Sequence, residues 1–192
     1  MLDQIEKYIT VEKYLALEES NEFKSEFYQG ELFPMAGTSV NHNIISGNLH
    51  TALNVKRNEH NCYVFISDIR LWIKHRELFT YPDLMIVRNK PEFYPGRSDT
   101  ITNPLVIVEV LSESTENYDR GNKFLFYRSI PTFHEYILID QANIHVEQFY
   151  IASHKGWFLT EFNHPDDILK FTKINFQISL ADIYDLVEFP VK

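Results

Sequence analysis

The spacing of apolar and polar positions changes several times along this chain, and each change predicts an element. Val11, Tyr14, Leu15 and Leu17 recur at helical spacing, which predicts a short amphipathic helix over 10–19. Residues 23–35 then alternate around Gln29-Gly30, the pattern of a hairpin with Phe27-Tyr28 on one arm and Leu32-Phe33 on the other. Ser39 or Asn41 can cap a longer helix reaching about residue 58, with Ile45, Leu49, Ala52 and Leu53 as its buried stripe. Strand-length apolar runs follow at 62–67, 69–73, 84–87 and 105–111. The last is broken only by Glu109 and reads as a central strand buried on both faces. Residues 114–129 turn helical, opening on Ser114 and Thr115 and stopping before Pro131, which cannot continue a helical ladder. Strands are predicted at 133–139, 144–150 and 157–162, and a strand or helix at 178–187. This order describes an α/β (α+β) fold with one mixed β-sheet flanked by helices.

Composition sharpens the picture. The 192 residues are 44% hydrophobic, enough for one domain with a full core, which excludes intrinsic disorder. The six Gly form no linker, no repeat divides the chain, and residues 1–192 are expected to be a single unit. The single Cys62 permits no internal disulfide and fits a reducing compartment. The start at Met1–Lys7 lacks the basic and apolar runs of a signal peptide, and no apolar stretch approaches the roughly 20 residues that span a bilayer. A cytoplasmic protein without a membrane partner is therefore expected.

The net charge of −9 argues against a generic nucleic-acid binder. It is unevenly spread, because residues 51–97 carry eight basic against five acidic side chains, so the middle of the chain can present a locally basic surface. No phosphate-binding glycine loop, nucleophile elbow or metalloprotease motif is present, and the eight His residues match no usual zinc spacing.

The chemistry that remains rests on carboxyl groups. Asp83 stands at the mouth of an apolar strand after Tyr81-Pro82, and Glu109 interrupts Val106-Ile107-Val108 and Val110-Leu111. Such acids are costly in apolar strands unless a cation or metal offsets them. If the two strands pair, the acids form a hard-oxygen site suited to Mg²⁺ or Mn²⁺. Taken singly, Asp83 also reads as a turn residue and Glu109 as the partner of an Arg. Asp119 and Lys123 are four apart and share a helix face directed toward the Glu109 strand, or form a surface pair.

An ordered set of motifs then stands out: Gly30-Glu31, Met35-Ala36-Gly37 with His42, Tyr81-Pro82-Asp83, the run from Pro104 to Ser112 containing Glu109, Ser114-Thr115, Asp119-Arg120 with Lys123, Tyr127, Glu135-Tyr136 and Asp140. This succession resembles the Uma2 family of endonucleases, within the PD-(D/E)XK nuclease superfamily, over about residues 10–187. The resemblance implies a restriction-endonuclease-like fold in which the N-terminal helix and hairpin (1–37) pack on the core. It implies Asp83 and Glu109 as catalytic, metal-binding residues, Mg²⁺ or Mn²⁺ as cofactor, and DNA as the partner, cleaved to a 5′-phosphate and a 3′-hydroxyl. The superfamily places a Lys two residues after the Glu. Here that position is Leu111, and Lys123 matches the Lys that Uma2-like sequences carry on the following helix. Glu31 and His42 match further family positions and are auxiliary candidates; a surface Glu and a structural His are the alternative readings. Two-fold cleavage of a duplex makes a homodimer an expectation. The absent Lys at 111 and the acidic charge motivate the alternative of a catalytically inactive interaction module on the nuclease fold.

Overall fold

A computed structural model describes residues 8–35, 37–153 and 156–189. Met1–Lys7, read above for targeting signals, and Ala36 lie outside the described residues. In chain order the elements are α1 (Val11–Ser20), β1 (Ser25–Tyr28), β2 (Glu31–Pro34), α2 (Val40–Val55), α3 (Arg57–His60), β3 (Cys62–Ile66), β4 (Arg70–Ile73), β5 (Leu78–Thr80), β6 (Leu84–Arg88), β7 (Thr100–Ile101) and β8 (Val106–Leu111). A continuous helical rod follows, made of α4 (Glu116–Tyr118), a π-helical turn at Asp119–Lys123 and α5 (Phe124–Tyr127). The chain continues through β9 (Glu135–Asp140), β10 (Val146–Ser153), β11 (Gly156–Phe162), β12 (Ile168–Lys170), β13 (Gln177–Ser179) and α6 (Leu180–Ile183).

Local chemistry accounts for the boundaries. The Thr10 hydroxyl accepts the Lys13 backbone N–H at 3.3 Å and starts α1, and the Ser39 hydroxyl accepts that of His42 at 3.1 Å and starts α2. Of the two caps considered for α2, Ser39 is the one used. The hairpin turns at Gln29 (φ 47°) and Gly30 (φ 90°), the left-handed pair that suits the twist of two antiparallel strands. A Cβ on Gly30 would lie 2.3 Å from the Tyr8 ring, so the close approach also requires glycine.

The mixed sheet has six strands in the order β11-β10-β9-β8-β6-β3, with β8 and β9 parallel and the other pairs antiparallel. It is not the single sheet expected. A second sheet, ordered β2-β1-β5-β4-β7, and a β12-β13 ribbon stand beside it. The sequence reading missed β5 and β7 because three and two residues are too short for an alternation to register. Residues 178–187 resolve into both alternatives, the end of β13 followed by α6.

β8 is buried at all six positions, as its apolar run predicts. One face of the six-stranded sheet packs Leu84, Ile86, Val106 and Val108 under Ile45, Leu49 and Leu53 of α2, with Leu180 and Ile183 of α6. The opposite face packs Met85, Val87, Ile107 and Leu111 against Leu71, Ile73 and Leu78 of the second sheet and Phe126 and Tyr127 of the rod. Part of the mid-chain basic excess turns inward: Arg70 is buried and paired with Asp99, which also binds Arg97. Those guanidinium groups, Arg97 first, hold the Asp99 carboxyl well below the usual range. Among the described residues no helix is long and apolar enough to cross a membrane.

Because Leu49 is fully enclosed in the α2 core while Leu125 lies 43% exposed on the rod, the two leucines should respond differently to truncation. Leu49→Ala is expected to lower unfolding stability by about 2–5 kcal/mol, and Leu125→Ala by no more than about 0.5 kcal/mol, as read by urea titration of both variants.

Candidate active site

The site forms where the β6–β8 ladder ends. Its register runs Ile86↔Val106, Met85↔Ile107 and Leu84↔Val108, and one further step sets Asp83 beside Glu109 on the face covered by the rod. There the carboxyl groups replace the ladder's backbone partners. Glu109 Oε2 accepts the Asp83 backbone N–H at 3.2 Å, and Asp83 Oδ2 accepts the Val110 backbone N–H at 2.8 Å. Each acid is thus held by the backbone next to the other, which satisfies N–H groups that the end of the ladder leaves over.

The rod closes over this pair. Asp119, Lys123 and Tyr127, four residues apart, lie on its inner face. Lys123 Nζ stands 3.0 Å from Glu109 Oε1 and 3.1 Å from Asp119 Oδ1, and 3.8 Å from Oε1 of Glu26 in β1. The Tyr127 hydroxyl donates to Glu109 Oε1 at 2.6 Å, and the Tyr136 hydroxyl of β9 donates to the Asp119 carbonyl at 3.1 Å. Glu26 is itself held, accepting from the hydroxyls of Thr80 and Tyr118. The ring of Tyr118 lies 5.8 Å from Lys123 Nζ, within cation–π range. The turn carrying Asp119 and Lys123 is π-helical, a widened geometry often found where a helix serves a site.

Burial grades across the cluster. The Lys123 and Glu109 side chains are 9% and 3% exposed, whereas Asp83 is 17% exposed and so marks the open side. There His42, in the first turn of α2, places Nε2 3.0 Å from Asp83 Oδ2. Burial pushes the Glu109 carboxyl well above the usual range; Lys123 opposes that shift, and Asp83 and Asp119 add to it. Burial alone would lower the Lys123 ammonium. The acids Glu109, Asp119 and Glu26 outweigh it and hold Lys123 well above its ordinary value, so it is a fixed cation and not a proton acceptor. The Tyr127 phenol, raised by burial and by Glu109, stays a neutral donor.

The structure therefore brings Asp83, Glu109, Lys123 and His42 together and buries the Asp119–Lys123 pair that the sequence leaves open as a surface pair. Glu31 begins β2 exposed, opposite Tyr28 across the hairpin, on a strand and not on a helix surface. From the hairpin it is Glu26 that reaches Lys123. The sequence does not mark Glu26, and Tyr127 enters only as part of the resemblance. Glu26 follows Ser25 and precedes Phe27-Tyr28 in a strand buried on both faces, so no polar alternation marks it. Tyr127 had one available signal, its position four residues after Lys123.

Among the described residues no three His, Cys, Asp or Glu side chains converge closely enough to hold a metal by themselves. The donor set still suits a hard cation. Glu26, Glu109 and Asp119 crowd one lysine, Asp83 stands beside Glu109, and Mg²⁺ is commonly held by one or two carboxylates with the rest of its shell supplied by water and substrate phosphate.

The chain is similar to several known proteins. The chain is 40% identical over 166 residues to the uncharacterized protein sll1609 of Synechocystis sp. (strain PCC 6803), covering 86% of this chain and 94% of that protein. It is 30% identical over 175 residues to the uncharacterized protein slr1290 of the same organism, covering 90% of each. Its backbone is similar to the crystal structure of a protein from Anabaena variabilis titled a "putative nuclease belonging to DUF820", with a TM-score of 0.75 at 16% identity, covering 94% of this chain and 99% of that one. The fold is restriction-endonuclease-like, a mixed α+β architecture. Residues 11–181 match the family described as "Uma2: Putative restriction endonuclease", and the chain belongs to the Uma2 family.

Proposed function

We propose that this chain, as one domain over residues 1–192, is a metal-dependent endonuclease that hydrolyses phosphodiester bonds in DNA. The observation that carries the reading is the Lys123 ammonium 3.0 Å from Glu109 on the strand beside Asp83, which rebuilds an acid–acid–lysine site although Leu111 occupies the strand position of the lysine. Leu111 instead packs into the core beneath the rod. The family description and the nuclease title of the structural relative support the same reading.

In this reading Asp83 and Glu109 hold Mg²⁺ or Mn²⁺. Held by those two carboxyl groups, such an ion would supply Lewis-acid chemistry and make the attacking water more acidic. The remaining functions belong to the chain. Lys123 presents a permanent positive charge in a site of low polarity, where it steadies the negative charge that grows on the phosphoryl oxygens and orients the attacking water. Asp119 and Glu26 keep the ammonium in place, and Tyr127 fixes the Glu109 carboxyl. His42 steadies Asp83 at the open side, where the substrate phosphate enters. The surplus of acids repels phosphate until a divalent ion offsets it, so DNA binding is expected to depend on metal and on salt. A second copy related by two-fold symmetry would supply the cut in the opposite strand.

Purified protein with plasmid DNA and Mg²⁺ or Mn²⁺ is expected to nick or linearise the plasmid, and EDTA to stop it. Asp83→Asn, Glu109→Gln and Lys123→Met should each lower the rate by at least about 10²-fold. A wild type that cuts nothing would favour the inactive interaction module, and variants that cut as the wild type does would overturn this site.

The buried lysine also makes a stability prediction. Lys123→Met leaves Glu109 and Asp119 buried without their cation and is expected to destabilise the fold by about 3–5 kcal/mol near pH 8. Because folding raises the Glu109 pKa, the stability linked to its proton is present below the unfolded value of about 4.3 and is lost as the pH rises through the folded value. The cost of Lys123→Met should therefore shrink toward pH 5, and Glu109→Gln should flatten the pH dependence, as read by denaturant titrations between pH 5 and 8.

A further inference from the structure

Away from the acid cluster, a cavity of about 540 Å³ opens between β4 and the turn that follows α5. Trp72, Tyr94, Ile130 and Pro131 line it, and the lining residues Lys74 and His75 are exposed. The volume lies within the range of small-molecule sites, about 300–1,000 Å³.

The aromatic wall is preformed. Trp72 packs on the fully buried Phe79 with ring centroids 4.2 Å apart, and Tyr94 meets Trp72 edge-on at 5.6 Å and Phe79 at 5.4 Å. Phe79 is locked in turn by Tyr14. A planar guest laid against this wall would cost little side-chain entropy, and stacking on aromatic rings tolerates any base. The two exposed cationic or protonatable groups in the lining suit an anion attached to that guest.

We propose that this cavity binds a nucleotide, its base against Trp72 and Tyr94 and its phosphate on Lys74 and His75. The choice of ligand rests on the nuclease reading, which places DNA on this protein. Ile130 and Pro131 in the lining belong to the turn that follows the rod carrying Lys123. A free mononucleotide offers the same chemistry.

The test uses Trp72 fluorescence in a Trp157→Phe background, since the chain has two tryptophans. Measured in EDTA, it reports binding without cleavage. Deoxyadenosine 5′-monophosphate or a short single-stranded oligonucleotide should quench Trp72 saturably, and the tighter of the two identifies the source of the nucleotide. Lys74→Ala with His75→Ala, both exposed, should weaken binding by about tenfold or more, as should deoxyadenosine without phosphate; Tyr94→Leu should weaken the base contact. Absence of saturable quenching by either probe, equal binding by the double variant, or equally tight binding of benzoate would overturn the proposal. Binding that persists in a protein unable to cut plasmid would leave the cavity standing and remove the nuclease reading. Cleavage without binding would do the reverse.

Discussion

The centre of this molecule depends on one buried cation. Lys123 lies between Glu109 and Asp119, with Glu26 slightly farther off, and the cluster reaches out to Asp83 through Glu109. Without the lysine, the acids would face each other at the packed junction of two sheets and a helix, where ion desolvation costs several kcal/mol per group. Without the acids, an ammonium so deeply buried would lose its proton. Each side makes the other tolerable, and the balance still leans negative. A scaffold that needed only stability would fill this space with apolar side chains at no greater cost. In the proposed reading, the retained surplus of acids is what seats a divalent ion.

Several elements converge to build it. The β6–β8 ladder sets the two acids side by side and ends there, so that their carboxyl groups take up the backbone N–H groups of the unpaired edge. The rod supplies lysine, aspartate and tyrosine from one face, and its π-helical turn sits at the lysine. The second sheet contributes Glu26 and Thr80 through the β1–β5 pairing. α2 packs chiefly on the other face of the six-stranded sheet, yet its first turn carries His42 to the exposed edge of Asp83. A lysine delivered from the rod also explains how Leu111 can be apolar: its strand position is used for packing, and the cation arrives from above.

Charge along the chain is a poor guide to charge in space. The basic stretch at 51–97 suggests a positive surface, but Arg70 is buried against Asp99, and Arg97 joins that pair and Glu19. Conversely, Glu26, Glu109 and Asp119 around Lys123, with Asp83 beside Glu109, place part of the net charge of −9 in the site and not on the outer surface.

Much of this architecture is legible in the sequence because it is local. Helical spacing identifies α1 and α2, the turn at Gln29-Gly30 identifies the hairpin, and the unbroken apolar run around Glu109 identifies the central strand, since period and turn chemistry act over a few residues. The motif order also singles out Asp83, Glu109 and Lys123 as candidates. What the sequence leaves open is long-range. The two-residue strand at 100–101 pairs with β4, 30 residues earlier, and β5, which pairs with β4 close by in sequence, is joined to β1 across 50 residues. Glu26 sits 97 residues before Lys123, and nothing near either residue records that they meet. The sequence alone thus determined most of the elements and the chemical types available to a site. Tertiary structure decided which acids surround the lysine, because a charge pair is defined by distance and burial, and those exist only once the sheets and the rod have packed.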